Sequence, residues 1–273
     1  MTSAERNAGG IPRDFSRGGA TLVLDSFLSD IMGKPAYDLK LAPTEATATA
    51  ADAPLEALLA NFGVDGTPAL VSCRLRADDV NGIQALEESG FRMIECYLDF
   101  EINMKATASD EPDGPTHGLR LAGAADRSAL KAIASSGFTS SRLHLDPAIP
   151  KAQADESRRR WLANSLDGRA EAVYCTVDPE RGPSGFVACR RLDGAEPGGR
   201  LDLIAVAPHA RGYGHGRALI GAFVRHCRRA DYRYGRVGTQ AHNLPAIRLY
   251  ESLGFRLDAA FMTLHLHRSE RRR

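Results

Sequence analysis

The sequence lacks a charge surplus, a long apolar run and a paired set of cysteines, and each lack removes a class of protein. Its 273 residues carry 35 basic and 34 acidic side chains, a formal net charge of +1. No global field would gather nucleic acid or an anionic membrane. Arg268, Arg271, Arg272 and Arg273 make a basic tail and Arg225, Arg228 and Arg229 a local cluster. Both read as solvated surface. No apolar run approaches the roughly 18 residues of a membrane-spanning helix, and no charged-then-apolar leader is visible. The expectation is a cytoplasmic protein without a membrane or nucleic-acid partner. The five cysteines, Cys73, Cys96, Cys175, Cys189 and Cys227, are odd in number, far apart and set among apolar residues. That suits buried, reduced thiols rather than a disulfide frame or a zinc cluster.

What is present is an ordinary core-forming composition, enough for one large domain or two modest ones. Residues 1–19 are polar and glycine-rich and read as a flexible end. Ala42–Pro54 is dominated by Ala and Thr and reads as a surface excursion. Lys105–Gly118 holds two prolines, two glycines and three acidic residues without apolar periodicity, the pattern of a linker. The chain therefore divides into an N-terminal α/β domain at 20–104, a linker at 105–117, a second domain at 118–268 and a basic tail at 269–273. The two domains echo one another. ALEESGFRMIECYLDFEI (Ala85–Ile102) and LYESLGFRLDAAFMTLHL (Leu249–Leu266) both run helix, Gly-Phe-Arg turn, strand. An internal duplication explains this, and so does the common use of glycine to end a helix.

The densest chemical signal lies in the second domain. Arg200–Val206 reads as a buried strand, and Gly212, Gly214 and Gly216 follow it. A helix comes next, with Leu219, Ile220, Phe223, Val224 and Cys227 on one face. Strand, glycine-rich turn and helix form an anion cradle, because the first N–H groups of the helix have no internal partner and carry the positive end of its dipole. Glycine lets an anion approach those amides. The spacing is not that of a P-loop, which needs Gly-Lys-Ser/Thr, nor of the dinucleotide pattern G-x-G-x-x-G. Tyr234–Ala241 reads as a further strand. Asn243 then stands at a helix start, Pro245 in its first turn, and Gly254 at its end. Seven residues are close to two helical turns, so Asn243 and Tyr250 share a face.

Arg211-Gly212-Tyr213-Gly214-His215-Gly216 resembles the Arg/Gln-x-x-Gly-x-Gly/Ala pyrophosphate loop of the GNAT acyltransferase superfamily. Asn243, Ala246, Tyr250, Gly254 and Phe255 resemble its Asn-x-x-Ala-x-x-x-Tyr-x-x-x-Gly-Phe segment. The resemblance implies a GNAT fold, α/β with a mixed, mostly antiparallel central sheet flanked by helices. A smaller GNAT-like α/β portion would precede it. It implies acetyl-CoA as co-substrate and no metal. It places CoA against Ile204, Ala205, Val206, Arg211, Gly212, Tyr213, Gly214, His215, Gly216, Arg217, Asn243 and Ala246. The reaction would be direct attack of an amine on the thioester, with Tyr250 protonating the departing thiolate. A backbone N–H of the Leu203–Val206 strand would polarise the carbonyl, provided that strand splays from its neighbour. On Met93–Ile102, alternation puts Glu95, Tyr97, Asp99 and Glu101 on one face. That face is either open to solvent or lines a cleft in which Glu95 acts as base.

Phe138–Pro147, Trp161-Leu162 and Ser165 resemble the acceptor region of dTDP-fucosamine N-acetyltransferases, which acetylate a nucleotide-linked 4-amino-4,6-dideoxy sugar. Asp25-Ser26-Phe27 and Gly33-Lys34 resemble that family's opening segment, although Ile31-Met32 replace its double aromatic. This implies a dTDP-amino sugar as acceptor, Ser141 and Arg142 as contacts to its phosphates and, by resemblance alone, a homodimer. Either side chain would equally serve an ordinary exposed helix end. Other acceptors (a small amine, an antibiotic, a protein N-terminus) and a CoA-binding module without turnover fit the same motifs. Against the last stands the retention of both Asn243 and Tyr250. His265 and His267 share one side of a strand, with no third metal ligand near them in sequence.

Overall fold

A computed structural model of the chain describes residues 14–17, 19–41, 68–105 and 117–268. The Ala/Thr excursion, nearly all of the linker, the basic tail and most of the expected flexible start lie outside the described residues. One part of that start is a strand. Asp14–Arg17 (β1) pairs antiparallel with Ala20–Leu24 (β2), and Gly19 turns between them at φ +87°. Gly19, one of the glycines that made the segment read as a loose end, serves a hairpin instead.

The chain forms two compact units, residues 1–96 with 260–273, and residues 97–259. Among the described residues of unit 1, β1 and β2 are followed by Ser26–Met32 (α1), Ala36–Leu41 (β3), Ala69–Arg76 (β4) and Val80–Glu88 (α2). The long strand Arg92–Asn103 (β5) then begins, and the end of the last strand, Arg256–Arg268 (β11), completes the unit. The strand order is β1-β2-β3-β4-β11, antiparallel except for β3 with β4. α1 starts at Asp25, whose carboxylate accepts from Leu28 N–H at 2.8 Å, and stops at Gly33 in the left-handed region. Leu22, Leu39, Val71, Leu86, Phe91 and Leu264 form the core.

Unit 2 holds the remainder of β5, then Arg120–Leu121 (β6), Arg127–Gly137 (α3), Arg142–Leu145 (α4) and Lys151–Asn164 (α5). Ala172–Asp178 (β7), Gly182–Leu192 (β8), Gly198–Val206 (β9), His215–Arg229 (α6), Tyr234–Gln240 (β10) and Leu244–Ser252 (α7) follow. Its order is β5-β10-β9-β8-β7-β6, antiparallel except for β9 with β10. One sheet face packs Val187, Phe100 and Val237 against Leu219 and Phe223 of α6 and Tyr250 of α7. The other packs Phe186, Leu203 and Ala205 against Leu130 of α3 and Leu162 of α5. Helix, sheet and helix make three layers around two cores. The mixed, mostly antiparallel α/β architecture is the expected one. The thiols of Cys73 and Cys227 are pushed up to about 12 by burial, as inert buried cysteines would be.

The two compact units divide the chain at other positions than the expected domains do. Strand pairing, not linker composition, sets them. From Tyr97 onward β5 pairs with β10, and Phe261–Arg268 of β11 pairs with β4. The strand after each Gly-Phe turn thus passes from one unit to the other. Both turns have the same construction. Gly90 and Gly254 sit at φ +91° and +89°. Phe91 N–H donates to Leu86 O at 3.0 Å, and Phe255 N–H to Tyr250 O at 3.1 Å. Each phenylalanine is fully buried. Leu86 stands where the second turn has Tyr250. Gly254→Ala should cost roughly 1–2 kcal/mol, the penalty of a Cβ in the left-handed region, read as a lower urea midpoint at unchanged m-value.

Candidate active site

Two parallel strands that part company create the opening. β9 and β10 pair only from Gly198–Tyr234 to Leu201–Val237. Beyond that register β9 runs on to Val206 and β10 to Gln240, so a fork opens between them. A bulge in β9 marks the parting. Ala188 faces Leu203 and Cys189 faces Leu201, leaving Asp202 without an opposite number. The Asp202 carboxylate accepts from Trp161 Nε1 at 2.8 Å and from Arg190 Nε at 3.4 Å. Ala207 N–H donates to Ser184 O on β8. By ladder alternation the peptide of Ala205 also turns to β8, while those of Ile204 and Val206 turn toward the fork. Of the three residues expected to meet the thioester, only Ile204 and Val206 aim their peptides there.

The glycine-rich loop closes one end of the fork. Gly214, at φ +92°, is the N-cap of α6 and brings no capping side chain, so the first-turn N–H groups stay open to a ligand. Arg211 is spent on the loop itself, donating to Val206 O at 3.2 Å and Gly137 O at 3.3 Å. Arg217 donates to Ser252 Oγ at 3.0 Å. A Cβ on Gly216 would lie 3.1 Å from Leu249, so that glycine serves the approach of α7 to α6. Gly212 and Tyr213 are exposed.

His117, expected only as the last residue of a linker, reaches this loop. Its backbone sits at φ +47° beside Gly118 at φ +59°, and its ring stacks on His215 with centroids 4.2 Å apart. His117 Nε2 and His215 Nδ1 are both buried without a hydrogen-bond partner. They line a cavity of about 400 Å³ with Asp178, Arg181, His209 and Tyr213. Two buried imidazole nitrogens beside open helix amides fit a ligand rich in phosphate oxygens. Burial first, and then the His117 ring, lower the pKa of His215. Burial likewise lowers His144. Such groups take up protons more readily unfolded than folded. Their contribution is present above about pH 6.5 and is lost as pH falls toward the folded pKa. The ligand-free protein should therefore lose thermal stability steadily below about pH 6.5, and His215→Asn should flatten that loss. A melting curve insensitive to pH in wild type would contradict it.

Asn243 stands at the N-cap of α7 yet makes no capping bond. Its amide donates to Thr239 Oγ1 at 2.9 Å instead, so it does more than end a helix. Ala246 is half-buried against the same core. Two turns on, Tyr250 is 4% exposed, edge-on to Phe100 at 5.8 Å and tilted on Phe255 at 6.0 Å. Among the described residues no group hydrogen-bonds its hydroxyl. Burial raises its pKa strongly, with Tyr97 adding to the rise and Arg200 opposing it, so the phenol holds its proton.

The polar row of β5 is not an open face. Asp99 pairs with Arg200 at 2.6 Å, and Arg200 also donates to Tyr97 Oη at 2.7 Å. Glu101 pairs with Arg236 at 2.8 Å. Alternation located these residues correctly, but their partners lie on strands distant in sequence. Glu95 belongs to unit 1, with its side chain 1% exposed. Its Oε1 accepts from Arg74 at 2.8 Å and Thr263 at 3.2 Å. That commits the expected base to a structural tie. Ser141 is also buried, its hydroxyl 2.6 Å from His144 Nδ1, and His144 Nε2 is 3.0 Å from Asp155. It is not placed to grip a phosphate. Arg142 beside it is half-buried.

Fork, glycine-rich loop and the Asn-to-Tyr helix together define the GNAT fold, and residues 139–255 match the Acetyltransferase (GNAT) family. A tandem GNAT protein from the clavulanic acid biosynthesis pathway superposes with a TM-score of 0.61 at 14% identity, covering 96% of this chain and 81% of that one. Among curated relatives, the spore coat polysaccharide biosynthesis protein SpsD of Bacillus subtilis is 31% identical over 141 residues, 52% of this chain and 47% of its own length. A mycothiol acetyltransferase of Acidothermus cellulolyticus is 46% identical over 63 residues, 23% of this chain and 19% of its own. The chain thus spans less than half the length of these relatives. No helix among the described residues is long and apolar enough to cross a membrane.

Proposed function

We propose that the protein transfers an acetyl group from acetyl-CoA to the amine of a nucleotide-linked amino sugar. The observation that carries the transfer chemistry is the fork. Strand peptides of Ile204 and Val206 turn into it, and α7 follows β10 with Asn243 and Tyr250 on one face. Acetyl-CoA, when bound, supplies an activated acetyl thioester. The amides of the α6 first turn, with His117 and His215, hold phosphate oxygens. The Asn243 amide, already steadied by Thr239, binds the pantetheine arm. The Ile204 or Val206 N–H donates to the acetyl carbonyl as negative charge gathers there. The neutral amine forms the new N–C bond as the C–S bond breaks. Tyr250 gives its proton to sulfur, the amine releases one to solvent, and solvent restores Tyr250.

The sugar rests on the polysaccharide role in the name of the Bacillus subtilis relative. It also draws on the likeness of Phe138–Pro147 and Trp161 to enzymes acting on amino sugars. Arg142 is retained as a contact to the sugar's nucleotide, while Ser141 is reassigned to hold His144. The mycothiol acetyltransferase match favours a second class, another small-molecule amine. Unit 1, with Leu86 in place of Tyr250, is read as a second copy of the motif that has no proton donor. Free thiol release from acetyl-CoA is the test, against dTDP- and UDP-amino sugars and simple amines. Release with nucleotide amino sugars alone supports the proposal. Release with other amines alone removes the sugar, and no release on any acceptor removes the enzyme.

A further inference from the structure

Gly238 is the first residue of β10 beyond its pairing with β9, and it sits opposite Asp99 of β5. A side chain is excluded there. A Cβ on Gly238 would collide with the Tyr97 hydroxyl oxygen, so the hydroxyl end of the phenol covers this glycine at the mouth of the fork. Arg200, next to the last paired residue of β9, reaches over the same spot. Its Nη1 donates to Asp99 Oδ1 at 2.6 Å and its Nη2 to Tyr97 Oη at 2.7 Å. The Arg200 and Asp99 side chains are 18% and 11% exposed, shielded enough to be rigid and open enough to meet a ligand. Two strands, β5 and β9, thus supply one polar cluster at the branch point, and β10 leaves room for it at Gly238. A simple strut between strands would need the ion pair alone, with neither a third partner nor a glycine kept bare beneath it.

We propose that Tyr97, Asp99 and Arg200 are a positioning cluster for acetyl transfer: Arg200, clamped by Asp99, holds the Tyr97 hydroxyl at the fork, facing the reacting end of the bound thioester together with Tyr250. This rests on the reading of Tyr250 as the proton donor. The titratable or charged groups acting on Tyr250 are Tyr97 of β5 and Arg200 of β9, and they act in opposite senses. To the same cluster α6 brings Leu219, Ile220, Ala222, Phe223 and the thiol of Cys227, β10 brings Val237, and Phe255 follows from the turn; burial pushes the Cys227 thiol up to about 12, so it adds no charge. A positive guanidinium favours release of the Tyr250 proton, and a neighbouring phenol opposes it.

The experiment measures kcat and the KM for acetyl-CoA in wild type, Tyr97→Phe, Arg200→Met and the double variant. Acetyl-CoA binding and thermal melting of each serve as controls. Both single variants should lose roughly tenfold or more in kcat, less than the 10²–10⁴-fold carried by a general acid itself, with the KM for acetyl-CoA within about twofold. The two losses should not add in the double variant, because Arg200 acts through Tyr97, whereas two independent struts would add. Gly238→Ala, which displaces the Tyr97 ring, should reproduce the kcat loss of Tyr97→Phe. It should add nothing in a Tyr97→Ala background. Unchanged kcat in folded Tyr97→Phe, or losses that add in the double variant, would overturn the cluster. Full activity in Tyr250→Phe would instead remove the donor on which the proposal rests. If Tyr250→Phe is inactive while both cluster variants match wild type, only the cluster fails.

Discussion

Tyr250→Phe should slow acetyl transfer by roughly 10²- to 10⁴-fold while leaving acetyl-CoA affinity within a few-fold. The substitution removes one oxygen and keeps the ring. The edge-on contact to Phe100 and the tilted contact to Phe255 survive, and so does the packing between α7 and the sheet. No hydrogen bond within the described protein is lost with that hydroxyl, so little stability should go with it. What disappears is a neutral donor whose proton burial retains at working pH. A thiolate leaving without a proton is a high-energy product, and roughly 3–5 kcal/mol of barrier should reappear. Single-turnover release of free thiol reads the chemical step, and calorimetric titration with acetyl-CoA reads the binding. An unchanged chemical rate would exclude Tyr250 as the acid.

Gly214→Ala should weaken acetyl-CoA on the order of a hundredfold, with a smaller effect on the chemical step at saturation. Two costs coincide at that residue. Its φ of +92° is paid for by any Cβ with about 1–2 kcal/mol. The new methyl would also stand 3.0 Å from His117 Nε2, so loop or ring must shift, and the shift moves the amides that open α6. Each 1.4 kcal/mol is tenfold in affinity, so modest strain at the cradle becomes a large loss of ligand. The thermal stabilisation produced by acetyl-CoA should shrink accordingly. An undiminished ligand-induced shift would mean that phosphates are held elsewhere.

These two residues come from the part of the chain where local sequence is most informative. A glycine needed at positive φ, a helix start and a seven-residue spacing are encoded within about a dozen positions. Arg211–Gly216 and Asn243–Phe255 could therefore be read directly, and the mixed α/β fold followed. Long-range pairing was not legible. Alternation puts Glu95, Tyr97, Asp99 and Glu101 on one face, but Arg200 and Arg236, which cover three of them, arrive from strands 101 to 135 residues later. Ser141 reads as an exposed helix end in sequence because its bond to His144, though only three residues away, is fixed by His144's contact with Asp155, which needs α4 packed against α5. His117 carried a usable signal, a histidine before a glycine at the close of a linker. Only the fold brings it onto the loop. The hairpin at Asp14–Val23 was missed because glycine-rich composition describes a turn and a loose end equally well.

The last strand has a consequence for how the molecule is made. Arg74 and Thr263 hydrogen-bond across 189 positions, because β4 is paired by the end of β11. During vectorial synthesis β4 emerges long before its partner, with one row of its backbone donors and acceptors exposed to solvent or to another nascent chain. Unit 2 holds most of its strand partners within residues 97–259 and can settle as it emerges. Unit 1 must wait for residues 260–268. The earlier-made of the two units is thus the later to be finished, and expression at low temperature or with a holdase chaperone should favour the native product.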